Sequence, residues 1–225
     1  EMGLTDPVSG MNMGETAEVL AKEFAISREE QDLFALSSHQ KAEAAQSACF
    51  LSGEIVTVEP VDGNAIERDN GIRHGQSLEQ LGKLRPIFDR EGTVTAGNSC
   101  QLTDGAAAVL LAPVETAKSL STSPVGYITA YAVAGCDPRR MGLGPVYATA
   151  KLMEQTGMSL NDFDMIEINE AFAAQVIACQ RAMSSKSFAQ SVLGRSEALG
   201  EIDPDSQNVH GGASAQGQRV GTAGT

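Results

Sequence analysis

Chemistry in this chain of 225 residues has to come from a small set of side chains, and the thiols are the first to weigh. Cys49, Cys100, Cys136 and Cys179 lie far apart, form no Cys-x-x-Cys pair, and are accompanied by three histidines. Structural metal sites draw on ligands clustered at short spacings, so this set points away from a metal. Sparse, unpaired thiols suit a reducing cytoplasm better than a disulfide framework. A second candidate is Asn169-Glu170-Ala171-Phe172, directly after the apolar run Met165-Ile166-Glu167-Ile168. An asparagine at a strand-to-helix junction can cap a helix beginning at Glu170. It can equally face a ligand together with the helix N-terminus.

These residues need a scaffold, and the pattern of the chain outlines one. Residues from Met11 to Lys83 read as mostly helical, with Val19, Leu20 and Phe24 at helical spacing. Ser27-Arg28-Glu29-Glu30 is a capping box, opening a helix to about Gln46 that carries Phe34 and His39. Ser77-Leu78-Glu79-Gln80 is a second box, opening a short helix that stops before Pro86. Alternation predicts a half-buried strand at Glu54–Pro60; Gly92–Asn98 reads as a strand running into a loop, Asp104–Leu111 as a small-residue, fully buried strand, and Val125–Val133 and Met165–Ile168 as further strands. Pro145 suits the first turn of a helix that runs to Thr156, with Gly157 at its C-cap. The interleaving of strands and helices argues for an α/β layer architecture. The tail from Asn208 to Thr225 reads on composition as a flexible segment.

The net charge is −13, with 42% hydrophobic and 20% charged residues. Nucleic acid and anionic membranes both demand a basic face, so neither is expected as a partner. No apolar run approaches the roughly 20 residues needed to span a bilayer.

Four ordered stretches carry a resemblance. They are Gly14-Glu15-Thr16-Ala17-Glu18 with Ser27-Arg28-Glu29-Glu30-Gln31-Asp32; Lys83-Leu84-Arg85-Pro86-Ile87-Phe88-Asp89; Gly92-Thr93-Val94-Thr95-Ala96-Gly97-Asn98; and Asn169-Glu170-Ala171-Phe172-Ala173. With Met141-Gly142-Leu143-Gly144-Pro145, they make the chain resemble thiolases, the acyl-CoA acyltransferases that form or cleave carbon–carbon bonds beside a thioester. Residues Phe188 to Ile202 further resemble an insertion in the branch containing the bacterial fatty-oxidation β-subunits. The resemblance implies two similar α/β halves with a mostly helical loop domain inserted in the first. On that map residues 1–91 are the loop domain, 92–122 the last part of the N-terminal half and 123–225 a truncated C-terminal half. Most of the first half is then expected before Glu1, and a chain expressed without it is expected to be inactive and to aggregate or remain molten.

The family's chemistry passes through an acyl-cysteine, with coenzyme A and acyl-CoA as substrates and no further cofactor. The nucleophilic cysteine is expected upstream of this chain and a second, acid–base cysteine downstream. Two catalytic positions fall inside it. Asn169 matches an asparagine that holds a water donating to the thioester oxygen, and Gln218 stands where the family has histidine, with Arg219 in the place of proline. A glutamine amide donates a hydrogen bond but takes no proton near neutral pH, which opens the alternative of an inactive CoA- or acyl-CoA-binding protein. Positions matching the coenzyme A and acyl site are Met13, Arg73, Gln80, Leu84, Phe88, Ala96, Cys100, Met141, Ala171 and Phe172. Serines usual at Gln80 and Cys100 are replaced. Read from the residues alone, the apolar positions serve equally as core and Arg73 as a surface ion-pair residue. The resemblance further implies a homodimer or homotetramer, and a partner-subunit role in fatty-acid oxidation.

Overall fold

In the computed structural model the described residues are 4–120 and 123–219. Helix α1 (Met13–Glu23) starts at Asn12, whose side chain accepts from Glu15 N while Glu15 returns to Asn12 N. Helix α2 (Arg28–Ser47) uses the same reciprocal arrangement between Ser27 and Glu30, as the sequence predicts. Helix α3 (Leu78–Gly82) is boxed by Ser77 and Gln80. A short helix α4 (Val114–Ala117) follows in an exposed stretch. Helix α5 (Gly144–Thr156) carries Pro145 in its first turn, and Gly157 ends it at φ 73°, a left-handed cap that glycine adopts without a Cβ clash.

Helix α6 (Ala173–Ser184) is the centre of the packing. Its Ala178, Cys179, Ala182 and Met183 bury against Leu20 and Ile26 of the α1 region, Val146 and Met153 of α5, and Leu199. Small residues on α6 let these elements approach closely, while the larger side chains fill the space from the other side. A second cluster joins Ala17 and Ala21 of α1 to Val94 and Ala174. Helix α7 (Lys186–Val192), a turn of helix α8 (Ala213–Gln216) and two 3-10 helices, Pro138–Leu143 and Leu160–Asp162, complete the helices among the described residues. Two interhelical ion pairs, Arg140 with Glu23 and Arg181 with Glu30, tie the α1–α2 corner to the rest.

The predicted strands are the main correction. One ladder forms among the described residues, pairing β1 (Leu102–Thr103) in parallel with β2 (Gln218–Arg219). Glu54–Pro60 and Met165–Ile168 are reduced to single bridges, Val58 with Ile66 and Ile166 with Gln207. Gly92–Asn98 is held by side chains and by scattered backbone bonds, among them Ile87 N to Val94 O at 3.1 Å. Asp104–Leu111 and Val125–Val133 make no backbone ladder among the described residues, and Leu110 is 85% exposed. An apolar run forms a strand only where another segment offers its backbone, and among the described residues none does so for 104–111 or 125–133.

The helix after Asn169 also begins later than expected, at Ala173 with Phe172 as N-cap. Asn169 therefore does not cap it. Residues 98–100 claim the intervening backbone instead. Cys100 N donates to Ala171 O at 3.0 Å and Ala173 N to Asn98 O at 2.9 Å. The predicted flexible tail is ordered from Asn208 to Arg219, and the rest of it lies outside the described residues.

Candidate functional site

The site is assembled by polar side chains that hold loops where strands would otherwise do so. Glu18 on α1 accepts from Thr93 N and Val94 N at 2.9 and 2.8 Å. A Cβ on Gly92 would collide with that carboxylate. Buried Asn98 accepts from Thr95 N at 2.8 Å and donates to Asp32 Oδ1 at 2.9 Å. Asp32 is in turn paired with Arg28 at 2.8 Å, and the Arg28 guanidinium donates to Leu81 O and Leu84 O. The first two turns of α2 thus place both α3 and the Thr95–Asn98 turn.

A cavity of about 220 Å³ is walled by Met13, Met141, Asn169, Ala171, Phe172 and Gln175 among others. Five of these are sequence-predicted site residues. At its edge Asn169 Nδ2 donates to Gln218 Oε1 at 3.3 Å, and the Cys100 thiol donates to the same oxygen at 3.2 Å. Gln218 is carried there by the β1–β2 pair, with Gln218 N donating to Gln101 O at 2.8 Å. Burial, aided by the nearby Glu170 charge, pushes the Cys100 thiol up to about 11, so it stays protonated at neutral pH. Cys179, in the core, is pushed up to about 12 by burial. Neither is prepared to act as a nucleophile.

Phe88 adjoins the cavity through an edge-on contact with Phe172, ring centroids 6.0 Å apart. Leu84 packs toward Gly97, and Ala96 is exposed on the turn between them. Arg73 and Gln80 are not brought to the cavity lining. Arg73 is exposed on the Gly71–Gly75 loop, where its backbone N–H donates to Nδ1 of buried His39 at 3.2 Å. Gln80 spends its side chain on the α3 cap, accepting from Ser77 N at 3.1 Å. A larger hollow of about 430 Å³ near Glu23, Arg140 and Arg181 holds none of the predicted residues. Among the described residues no group of three or more His, Cys, Asp and Glu side chains gathers as a metal site would require, and no helix is long and apolar enough to cross a membrane.

Two neighbours of the cavity are given no role of their own by the sequence, although Glu170 stands inside the Asn169–Phe172 motif. Gln175 sits on its wall, donating to Gly142 O at 3.4 Å. Glu170 is 1% exposed, and its carboxylate accepts from Ser38 Oγ at 2.6 Å, Asn208 Nδ2 at 2.7 Å and Ser214 N at 3.0 Å. The Gly-Gly pair that follows Asn208 is the one signal in the sequence that something presses against that turn.

Comparison with known proteins gives the family. The family model for the thiolase N-terminal domain matches residues 1–115, and that for the thiolase C-terminal domain matches residues 122–225. A 3-ketoacyl-CoA thiolase from Photobacterium profundum is 47% identical over 96% of this chain and 50% of its own length. One from Yersinia enterocolitica is 45% identical over 96% and 50%. Among solved structures, human mitochondrial 3-ketoacyl-CoA thiolase superposes with a TM-score of 0.85 at 39% identity, covering 98% of this chain and 52% of that one. The acetyl-CoA acetyltransferase of Bacillus anthracis gives 0.83 at 37% identity, covering 96% and 51%. The chain spans about half the length of the curated relatives it matches. Its fold is the α/β fold of these enzymes, represented in part, and the chain belongs to the thiolase family.

Proposed function

We propose that these residues bind an acyl-CoA and polarise its thioester carbonyl within a thiolase-class acyltransferase that works through an acyl-cysteine. The observation that carries this reading is the convergence of Asn169 and Gln218 beside the cavity walled by Met13, Met141, Ala171 and Phe172. A thioester oxygen placed near Asn169 would meet side-chain amide donors next to an apolar chamber suited to the acyl chain. The relatives' name, 3-ketoacyl-CoA thiolase, and a solved complex of the human mitochondrial enzyme with CoA supply the ligand class. The acyl-accepting cysteine belongs to the part of the protein outside these residues. The division into a loop domain at 1–91 and two thiolase halves meeting near residue 122 goes with this reading.

Gln218 favours a second reading, in which the protein binds acyl-CoA without turnover. An amide whose oxygen already accepts from Asn169 and Cys100 has no lone pair free for a cysteine proton. Without a nearby base or cation a thiol stays mostly protonated near pH 7. Calorimetry with acetyl-CoA and a thiolysis assay, both on the full-length gene product, separate the readings. Binding with turnover supports the acyltransferase; binding with none supports the second; absence of binding removes both. On the first reading Gln218→His raises kcat by about 100-fold or more, the usual worth of a positioned general base.

A further inference from the structure

We propose that Glu170 is a positioning residue: by clasping the Asn208–Ser214 turn against α2, its buried carboxylate sets the distance between the thioester-facing amides of Asn169 and Gln218. The proposal rests on the acyl-CoA reading above and assigns a residue that contributes no atom to the cavity.

The geometry begins with alternation. In extended backbone successive side chains point to opposite sides. Glu170 is turned inward and its neighbour Asn169 is exposed, reaching Gln218. Anchoring one therefore orients the other. The anchor is chemically selective, because all three partners of the carboxylate are donors: the Ser38 hydroxyl, the Asn208 amide and the Ser214 backbone N–H. A carboxylate accepts from all three at once, whereas a glutamine of the same shape would turn an NH2 group against one of them. No Lys, Arg or His among the described residues forms an ion pair with Glu170. A charge buried with neutral donors alone is costly, which is more than plain packing requires.

The clasped turn then leads to Gln218. Ser38 Oγ, while donating to Glu170, accepts from Gly212 N at 3.0 Å. Asn208 closes the other side, accepting from Ile168 N and donating to Ile168 O, both at 2.9 Å. Gly211 stands at φ 75°, and a Cβ there would come within 2.5 Å of Ser38 O. A Cβ on Gly212 would stand 2.6 Å from Glu170 Oε1. The turn is thus seated directly on the carboxylate and on α2. From Ser214 a single short helix, α8, and Gly217 deliver Gln218 to its place opposite Asn169. A shift of the turn passes through that short link to the amide pair.

The test uses the full-length gene product and two probes, acetyl-CoA and CoA, which differ by the thioester carbonyl. In the wild type acetyl-CoA is expected to bind more tightly, the margin reporting the amide pair; equal affinity for the two probes overturns the proposal. Glu170→Gln is expected to cut that margin by about fivefold to tenfold while leaving CoA affinity within about twofold, as expected for loss of roughly one hydrogen bond. In an Asn169→Ala background the same change should leave the residual margin untouched. Should Glu170→Gln prevent folding, Ser38→Ala keeps the charge and removes one donor, and it should reduce the margin by about threefold, again sparing CoA. A margin unchanged in either folded variant overturns the proposal, as does an equal loss for both probes. Wild-type protein that binds neither probe fails the acyl-CoA reading itself, a result distinct from a wild type with a margin that Glu170 does not control.

Discussion

Residues 104–134 and residues 165–219 start from similar material, short apolar runs broken by Gly, Ala and Ser, and reach opposite ends. In the first, Leu110, Tyr131 and their apolar neighbours are exposed and the backbone makes no ladder among the described residues. In the second, isolated bridges at Ile166 and Phe172 and the two-residue β2 are the only strand pairing among the described residues, and Glu170, Asn208 and Ser38 supply hydrogen bonds a neighbouring strand would have given. An apolar strand depends on a surface it cannot make for itself. A polar clasp carries its partners within the chain. Exposed apolar area on the scale of the 104–134 segment is what a folded protein ordinarily covers.

The contrast can be broken in four places. The largest effect is expected from the uncovered segment: the chain on its own should self-associate and bind ANS strongly, and Leu110→Ser with Ile128→Ser should raise its soluble concentration several-fold. That pair should change urea stability by no more than about 0.5 kcal/mol, since neither side chain is packed. A sharp, cooperative melt of soluble wild-type chain would contradict the whole contrast. In the soluble pair variant, Glu170→Ala should cost about 3 kcal/mol or more, because three donors lose their acceptor in a buried place. Gly212→Ala should cost about 1–3 kcal/mol through overlap with the carboxylate. The smallest effect is a pH dependence at His39. Burial, with the Arg73 charge behind it, lowers its pKa, so the folded state holds the ring neutral. Its stabilising share is then full above the unfolded value of about 6.5 and is lost as the pH falls through it toward the lower folded value. Urea midpoints at pH 7.5 and pH 5.5 should differ less in His39→Gln than in the parent.

What could be read from the sequence follows the same division. Ser27, Glu30, Ser77, Gln80 and Gly157 announce helix ends through contacts three or four residues away, and all five do so in the fold. The strands at 104–111 and 125–133 were legible as pattern but not as structure, since pairing depends on distant backbone. Asn169 and the cavity residues Met13, Met141, Ala171 and Phe172 were reached through family motifs, and they do meet. Gln80 was drawn off by its own cap, a competition visible in the capping box itself. Ser38 could not have been picked out, because nothing near it in the chain hints at Glu170.

The bond from Gly212 N to Ser38 Oγ spans 174 residues. At a synthesis rate of about 5–20 residues per second, α2 leaves the ribosome roughly 9–35 s before its partner exists. Until then neither Glu170 nor Gly212 is there to pair with Ser38, which shares a polar face with Gln31, Asp32 and His39. That polar face gives the young helix little that is greasy to stick by, so waiting costs it less than it would cost a helix of leucines.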